Sequence, residues 1–422
     1  MSKKSTTTDE FAYLPATALY FDSACQSLRP QSVIDAMQQY YTEFNSCGER
    51  VKYKWGQEVD ERVEATRAKI LKMLKLSGKE YFVSFTLNTT YGINLILDQL
   101  IVRSSLRATR SNLSNDDNHG SPRFACDDED LLIKKVITSD IEHNSPFLST
   151  ITFAKKHGIP REILVRNDDG SIDLEKADFT DSVVVMNAVS NIDGRRLLNT
   201  KEVVKKIHQQ NGIFIIDAAQ TMSFYHEMLQ GVEADAICFS SHKMYGPSLG
   251  VMVVRRKLLD RIDTTFIGGG MVDDVTRDEF QLSFHSPQHV STAFEAGLQA
   301  YAEIIGLGAA IDWLLVAKKQ RGTELEQMSK QVFDFLKTAP TVHLINQQPS
   351  TTISFYSDKI DGHLLAEALS DAGIMTRSGY FCCHYYLDHV KHYPPLVRLS
   401  LGLHNRQSDV DSLIKILERA FK

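Results

Sequence analysis

The sequence predicts an α/β protein: a mostly parallel β-sheet covered by helices on both faces, followed by a smaller C-terminal α+β domain. Two observations point there. Short β-branched runs bounded by turn residues alternate with stretches of helical period over about 200 residues, the pattern of parallel strands joined by crossover helices. Beyond Gly306 the order changes to one long helical stretch and then a strand–helix–strand–strand–helix succession.

In chain order, residues 1–20 read as a polar N-terminal arm. Apolar residues at helical spacing place helices over 31–44 (QSVIDAMQQYYTEF) and 57–76 (QEVDERVEATRAKILKMLKL). YFVSFT (81–86) is a short buried strand, and TTYGINLILDQL (89–100) is the helix that follows it. KKVITSD (134–140), SVVVMNAV (182–189), GIFIIDAA (212–219), ADAICFSS (234–241) and GVMVVRR (250–256) are further strands. Among them, TKEVVKKIHQQNG (200–212) is a helix expected to stop at its Asn-Gly pair. The segment 103–130 is rich in Ser, Asn, Asp and Arg, has no period, and reads as a surface insertion. From Gly306 the chain is helical to about Leu336. TTISFY (351–356), DGHLLAEALSDAG (361–373), IMTRS (374–378), LVRLSLGL (396–403) and SDVDSLIKILERAF (408–421) complete it. The expected division is a large domain over 21–300 and a small domain over 301–422.

Composition narrows the function class. The 422 residues are 43% hydrophobic and 24% charged, too apolar for a disordered chain. A net charge of -6 gives no electrostatic footprint for nucleic acid or an anionic membrane. No apolar run approaches the ~18 residues a membrane helix needs, and MSKKSTTTDEFAY has no apolar stretch behind its lysines, so no secretory signal is expected. Six cysteines without a CxxC pair suggest neither a disulfide scaffold nor structural zinc. A cytoplasmic enzyme or binding protein is expected, with no metal.

The chemistry concentrates at strand ends. FSSHKMYGP (239–247) sets Lys243 between two buried strands, where a lysine must be paired, neutralised or used covalently. FIIDAAQ (214–220) ends another strand with Asp217, at the sheet edge where open α/β sheets bind ligands. An acid and a lysine on neighbouring strand ends suit pyridoxal phosphate (PLP): the lysine binds the aldehyde, and the carboxylate keeps the pyridine nitrogen protonated. A buried ion pair fits these two residues equally well. LNTTYGIN (87–94) adds Thr89 and Thr90 where a strand turns into a helix, a phosphate cradle or simply an N-cap. SDIEHNSP (139–146) gives His143 and NAVSNIDGR (187–195) gives Asn191 at further strand ends. Five strand ends that each offer a polar residue describe a pocket.

With these segments in view, the chain resembles the class V aminotransferase-like PLP enzymes of fold type I, in particular the group II cysteine desulfurase and selenocysteine lyase branch. The resemblance runs from FDSAC (21–25) to the C-terminus, through DAAQ (217–220), FSSHKMYGP (239–247), GGGM (268–271), FEAG (294–297), RSGYFC (377–382) and RLSLGLHN (398–405). It implies a sheet of the seven-stranded type and a homodimer with active sites at the subunit interface. It also implies that Lys243 holds PLP, Asp217 pairs with the ring nitrogen and His143 stacks on the ring. Gln220 and Asn191 would reach the phenolic oxygen, while Thr90, Ser240, His242 and the Thr89 amide would hold the phosphate. Arg398 would bind the substrate carboxylate with Arg377 nearby, and Asn191 would also face the substrate.

Arg377, Gly379 and Cys382 have the R-x-G-x-x-C spacing that in group II enzymes carries the persulfide-forming cysteine on a small-domain loop. Cys382 is therefore the expected sulfur nucleophile, with Arg377 or His384 placed to favour its thiolate. Cys383 is read as structural, and Cys25, Cys47, Cys126 and Cys238 as structural or incidental. Several positions depart from the family pattern. Leu298 stands where Thr usually reaches the partner's phosphate, Asn144 where a second His is frequent, and 45–57 lacks the usual His-Arg-Gly, with Arg50 a possible substitute. Asp193 and Arg195 replace small or apolar residues and are expected to alter the substrate mouth. The implied reaction converts L-cysteine to L-alanine and leaves a persulfide on Cys382 for a sulfur-acceptor protein. A selenocysteine lyase, a C–S lyase, an aminotransferase or an epimerase would use the same cofactor. Intact Lys243 and Asp217 argue against a silent scaffold.

Overall fold

A computed structural model describes residues 9–15, 17–48, 51–102, 133–286 and 289–421. The expected insertion at 103–130, with Cys126, and Arg50 lie outside the described residues, as do residues 1–8 and 16 of the 1–20 arm.

The chain begins with β1 (Leu19–Tyr20), α1 (Gln31–Glu43) and α2 (Lys54–Leu74). The main sheet then takes β2 (Tyr81–Thr86), β3 (Lys135–Ser139), β4 (Arg161–Leu164), β5 (Ser182–Asn187), β6 (Ile213–Asp217), β7 (Ala236–Ser240) and β8 (Gly250–Arg255). Helices α3 (Thr89–Gln99), α4 (Asn144–His157) and α5 (Thr200–Gln209) are interleaved with these strands. A hairpin of β9 (Val272–Val275) and β10 (Phe280–Leu282) follows, then α6 (Tyr301–Thr338). The C-terminal part holds β11 (Val342–Leu344), β12 (Thr352–Ser357), α7 (Gly362–Asp371), β13 (Ile374–Met375), β14 (Arg377–Gly379), β15 (Leu396–Ser400) and α8 (Gln407–Phe421).

The seven strands lie in the order β2-β8-β7-β6-β5-β3-β4. Only β8 runs against its neighbours: it is antiparallel to β2 and to β7, so those two are parallel to each other and to the rest. The mostly parallel sheet expected from sequence is present. Its strands alternate strictly between two cores. Val184, Met186, Phe214 and Ile216 join the layer built with α2, α5 and α6, whereas Val183, Val185, Ile213 and Ile215 join the layer of α3 and α4. Side chains that point to opposite faces at period two, apolar along the middle of β5 and β6, leave no wet face, and helices cover both.

Helix α6 has 38 residues and spans about 57 Å. It packs on α1 and α2 and leads into a four-stranded antiparallel sheet in the order β11-β12-β15-β14. The segment read as one strand over 374–378 divides. β13 pairs in parallel with β1, while β14 joins β15. The helix expected to end at Asn-Gly has its left-handed residue at Asn211 (φ 56°) and not at the glycine.

Candidate active site

Because β2, β3, β5, β6 and β7 are parallel, their carboxyl ends share one edge of the sheet. That edge and the β14–β15 side of the small sheet enclose a cleft of about 310 Å³. Thr89, Thr90, His143, Asn191, Asp217, Gln220, Ser240, His242, Lys243, Arg377, Cys382 and Arg398 all line it. Leu298 lies outside this lining, 74% exposed, and Cys383 sits behind it, fully buried.

Asp217 ends β6 and is buried; its Oδ1 accepts a hydrogen bond from the Ala219 amide at 2.9 Å. Burial raises its pKa, and the Ala219 bond and the Lys243 charge pull it back down. Lys243 stands in the turn after β7. Among the described residues its Nζ makes no hydrogen bond or ion pair, and burial pushes its pKa down against the pull of Asp217, with Arg398 adding to the depression. An amine that is easily deprotonated, opposite a carboxylate and without a partner, is suited to covalent use.

The helix start beside them is built by strand register. Gly250 pairs with both Thr86 and Ser240, so β8 brings the end of β7 against the end of β2. A Cβ at Gly250 would lie 2.5 Å from the Asn88 amide nitrogen, which is why glycine stands there. Ser240 Oγ accepts from the Thr89 amide at 2.9 Å and meets Thr89 Oγ1 at 2.6 Å, while Asn88 caps α3 through the Tyr91 amide. Thr90 Oγ1 touches Ser145 Oγ at 2.6 Å. Hydroxyls and a helix N-terminus thus open together on the cleft, a setting for a phosphate group.

His143 caps α4: its Nδ1 accepts from the Ser145 amide at 3.0 Å, which leaves the proton of the neutral ring on Nε2. Burial first, then the charges of Lys243 and Arg398, push its pKa down to about 3, so the ring is neutral at physiological pH. His242 is likewise pushed down to about 4, by burial and by Lys243 and Arg29. Gln220 Nε2 donates to the Ala24 carbonyl at 2.7 Å.

Arg398 is buried on β15. It donates from Nη1 to the Asn191 carbonyl at 3.0 Å and from Nη2 to Asp22 Oδ1 at 3.1 Å, and it lies over the Phe381 ring at 4.9 Å. Its Nε is buried without a partner. A cleft-lining guanidinium with an unused donor has the chemistry to bind an anion. Arg377 is exposed at the cleft rim, directly opposite Arg398 in the β14–β15 register.

Cys382 is exposed on the cleft wall, in a loop where Phe381 and Cys382 both take left-handed backbone (φ 48° and 59°). Two successive non-glycine residues in that region are costly and persist only where neighbours hold them. The Cys382 carbonyl accepts from the Asn144 amide at 2.6 Å. The Asn191 side chain is also turned to this loop, with Nδ2 donating to the Phe381 carbonyl at 2.7 Å.

Sequence reasoning missed four cleft features. Asp22 partners Arg398, and Ser145 joins Thr90 to His143. Asn187 lines the wall, and so does Cys25, which was read as structural or incidental. Asp22 and Ser145 sit inside the quoted FDSAC and SDIEHNSP segments, and their polarity beside a motif was the available signal. One expectation needs correction. Asp193 and Arg195 do not shape this mouth; they pair with each other at 3.1 Å and line a separate cavity on the other side of the 191–196 turn. Each charge is met by the other, and neither side chain is among those that line the cleft.

The lone amine of Lys243, the acid facing it, the helix start at Thr89 and the orphan Arg398 Nε fit PLP and an amino-acid carboxylate together. Comparison with known proteins agrees. The Aminotransferase class-V family model matches residues 19–128 and 133–413. A probable cysteine desulfurase of Haemophilus influenzae is 29% identical over 417 residues, 95% of this chain and 85% of that one. A cysteine desulfurase of Haloferax volcanii is 25% identical over 417 residues, 95% of this chain and 89% of its own. The apo structure of a cysteine desulfurase from Thermococcus onnurineus superposes with a TM-score of 0.80 at 25% identity, covering 96% of this chain and 94% of that one. Among the described residues, no helix is long and apolar enough to cross a membrane. The chain belongs to the class V aminotransferase family of PLP-dependent enzymes.

Proposed function

We propose that this chain is a cysteine desulfurase that moves the sulfur of L-cysteine onto Cys382 and releases L-alanine. The observation that carries the reading is Cys382 itself: an exposed thiol on a strained loop, on the wall of the same cleft as Lys243 and Arg398.

Lys243 would hold PLP through Nζ and Asp217 would keep the proton on its ring nitrogen. Thr90, Ser240 and His242 would take its phosphate, joined by the Thr89 amide on release of Ser240 Oγ, with His143 on its ring face and Gln220 and the second Nδ2 proton of Asn191 on its phenolic oxygen. Bound there, PLP supplies an electron sink for charge that develops at the substrate Cα. Arg398 binds the substrate carboxylate through Nε, with Arg377 at the rim as a second cation. Lys243, its pKa depressed, would be the base that takes the Cα proton, because the basic Nδ1 of His143 is turned to the Ser145 amide. The Cys382 thiolate attacks the substrate sulfur. An S–S bond forms as the C–S bond breaks, and the carbon keeps that electron pair and takes a proton, giving alanine and a Cys382 persulfide. An acceptor protein or a small thiol then removes the sulfur.

The resemblance supports a homodimer, and five described cysteines, all unpaired, accord with a cytoplasmic location. With L-cysteine and a reductant, alanine and sulfide are expected in equal amounts. Pyruvate with ammonia would indicate an eliminating lyase, and a keto acid would indicate transamination. Cys382→Ser is expected to abolish sulfide release while borohydride still fixes the cofactor to the Lys243 peptide. Full sulfide release by that variant would overturn the reading.

A further inference from the structure

Beside the exposed Cys382 lies a second thiol that the reaction does not use. Cys383 is fully buried, and its Sγ donates to Asn191 Oδ1 at 3.0 Å. Burial raises its pKa, so it stays a protonated donor. The other end of the same amide, Asn191 Nδ2, donates to the Phe381 carbonyl at 2.7 Å. One side chain from the turn after β5 therefore grips both flanks of Cys382.

Asn191 is itself held. Its carbonyl accepts from Arg398, and the next two carbonyls, of Ile192 and Asp193, accept from Ser354 and Asn346 of the small domain. Arg398 also lies over the Phe381 ring. The left-handed backbone of Phe381 and Cys382 needs such outside support, and a buried amide with both ends bonded supplies it.

We propose that Cys383 and Asn191 form a latch that fixes the Cys382 loop against the cleft, which makes Cys383 a positioning residue for sulfur transfer. The inference rests on the reading of Cys382 as the sulfur-accepting thiol. It gives Cys383 a hydrogen-bonding role and no redox role, and it ties the loop to the arginine that would bind the substrate carboxylate.

The test compares Cys383→Ser, which keeps a donor, with Cys383→Ala and Cys383→Val, which do not, all in cofactor-loaded protein. Two quantities are read: kcat and KM for L-cysteine, and the rate at which iodoacetamide labels the Cys382 peptide by mass spectrometry. Loss of the donor leaves Asn191 Oδ1 unsatisfied, and kcat is expected to fall about tenfold with KM moving less than about threefold. Labelling of Cys382 should accelerate in the same variants, because the freed loop leaves the cleft wall. Cys383→Ser should stay near wild type in both readouts. If Cys383→Ala does not fold for want of volume, Cys383→Val, which fills the site without a donor, gives the same comparison. The latch is overturned if the donorless variants match wild type in both quantities, or if Cys383→Ser falls as far as they do. Sulfide release by Cys382→Ser would instead remove the parent reading, whatever Cys383 does.

Discussion

The guanidinium of Arg398, the proposed carboxylate site, keeps one donor unspent. Two of its nitrogens are committed, to Asp22 and to the Asn191 carbonyl, and only Nε is left without a partner. Arg398→Ala should chiefly raise KM for L-cysteine, by the ~1.5–3 kcal/mol of a charge-assisted hydrogen bond, roughly one to two decades. An unchanged KM would move the carboxylate to Arg377. Asp22→Asn makes the opposite prediction. The amide oxygen can keep the bond to Nη2, but the compensating negative charge is gone, so Arg398 should hold carboxylates harder and KM should fall. Competitive inhibition by 3-mercaptopropionate should strengthen in parallel, and weaker inhibition would contradict this account. At this scale the sequence made the strand-end residues legible, Lys243 and Asp217 first, because a charged side chain after a buried run needs a reason. Asp22 was not legible as a partner, since its contact closes across 376 positions and leaves no local pattern.

Elements were legible where a period was long enough to count. β2 falls on the expected 81–86, and β5 to β8 fall within the runs read for them, because strands buried on both faces are continuous apolar stretches. The half-exposed edge strand β4 and the surface hairpin β9–β10 went unread, since such strands carry no such signal. The FEAG motif shows a different limit: its acid is structural. Glu295 is buried on Arg67 of α2 through two bonds of 2.8 and 2.9 Å and also accepts from the Phe85 amide at 2.7 Å, which fastens the 290s loop to α2 and β2. Arg67→Ala leaves that carboxylate buried with its charge unpaired. The expected loss is about 3–5 kcal/mol of stability, read as a lower urea midpoint with an unchanged slope. A loss below ~1 kcal/mol would show that solvent reaches the pair, as it does for surface bridges.

Across the whole molecule, the strap 19–27 stitches the two sheets together and carries Asp22 to the cleft. It pairs with β13 and with Ser400 on one side, and on the other it bonds the His242 carbonyl through the Ser27 amide and Gln220 through the Ala24 carbonyl. Its start is pinned by His404, whose Nε2 meets the Tyr20 carbonyl at 3.0 Å while Nδ1 is buried without a partner. A second proton on that ring would add a charge and an unsatisfied donor to the interior. Burial accordingly pushes its pKa from 6.5 down to about 4, with the Tyr20 bond opposing. A depressed histidine means that the unfolded chain binds the proton first as pH falls. The stability this group contributes is therefore complete above about pH 6.5 and lost as pH drops toward 4. His143 and His242, pushed down to about 3 and about 4, act in the same sense. The raised acids Asp140, Glu142 and Asp217 act in the opposite one. A single-site comparison separates the shares. Between pH 7 and pH 5, wild type should lose up to ~2 kcal/mol more than His404→Gln, whose amide can still donate to Tyr20 but cannot titrate. Urea midpoints at the two pH values measure the difference. If both proteins shift equally, His404 titrates no differently in the folded chain than in the unfolded one, and the acid sensitivity of the strap must lie with another group.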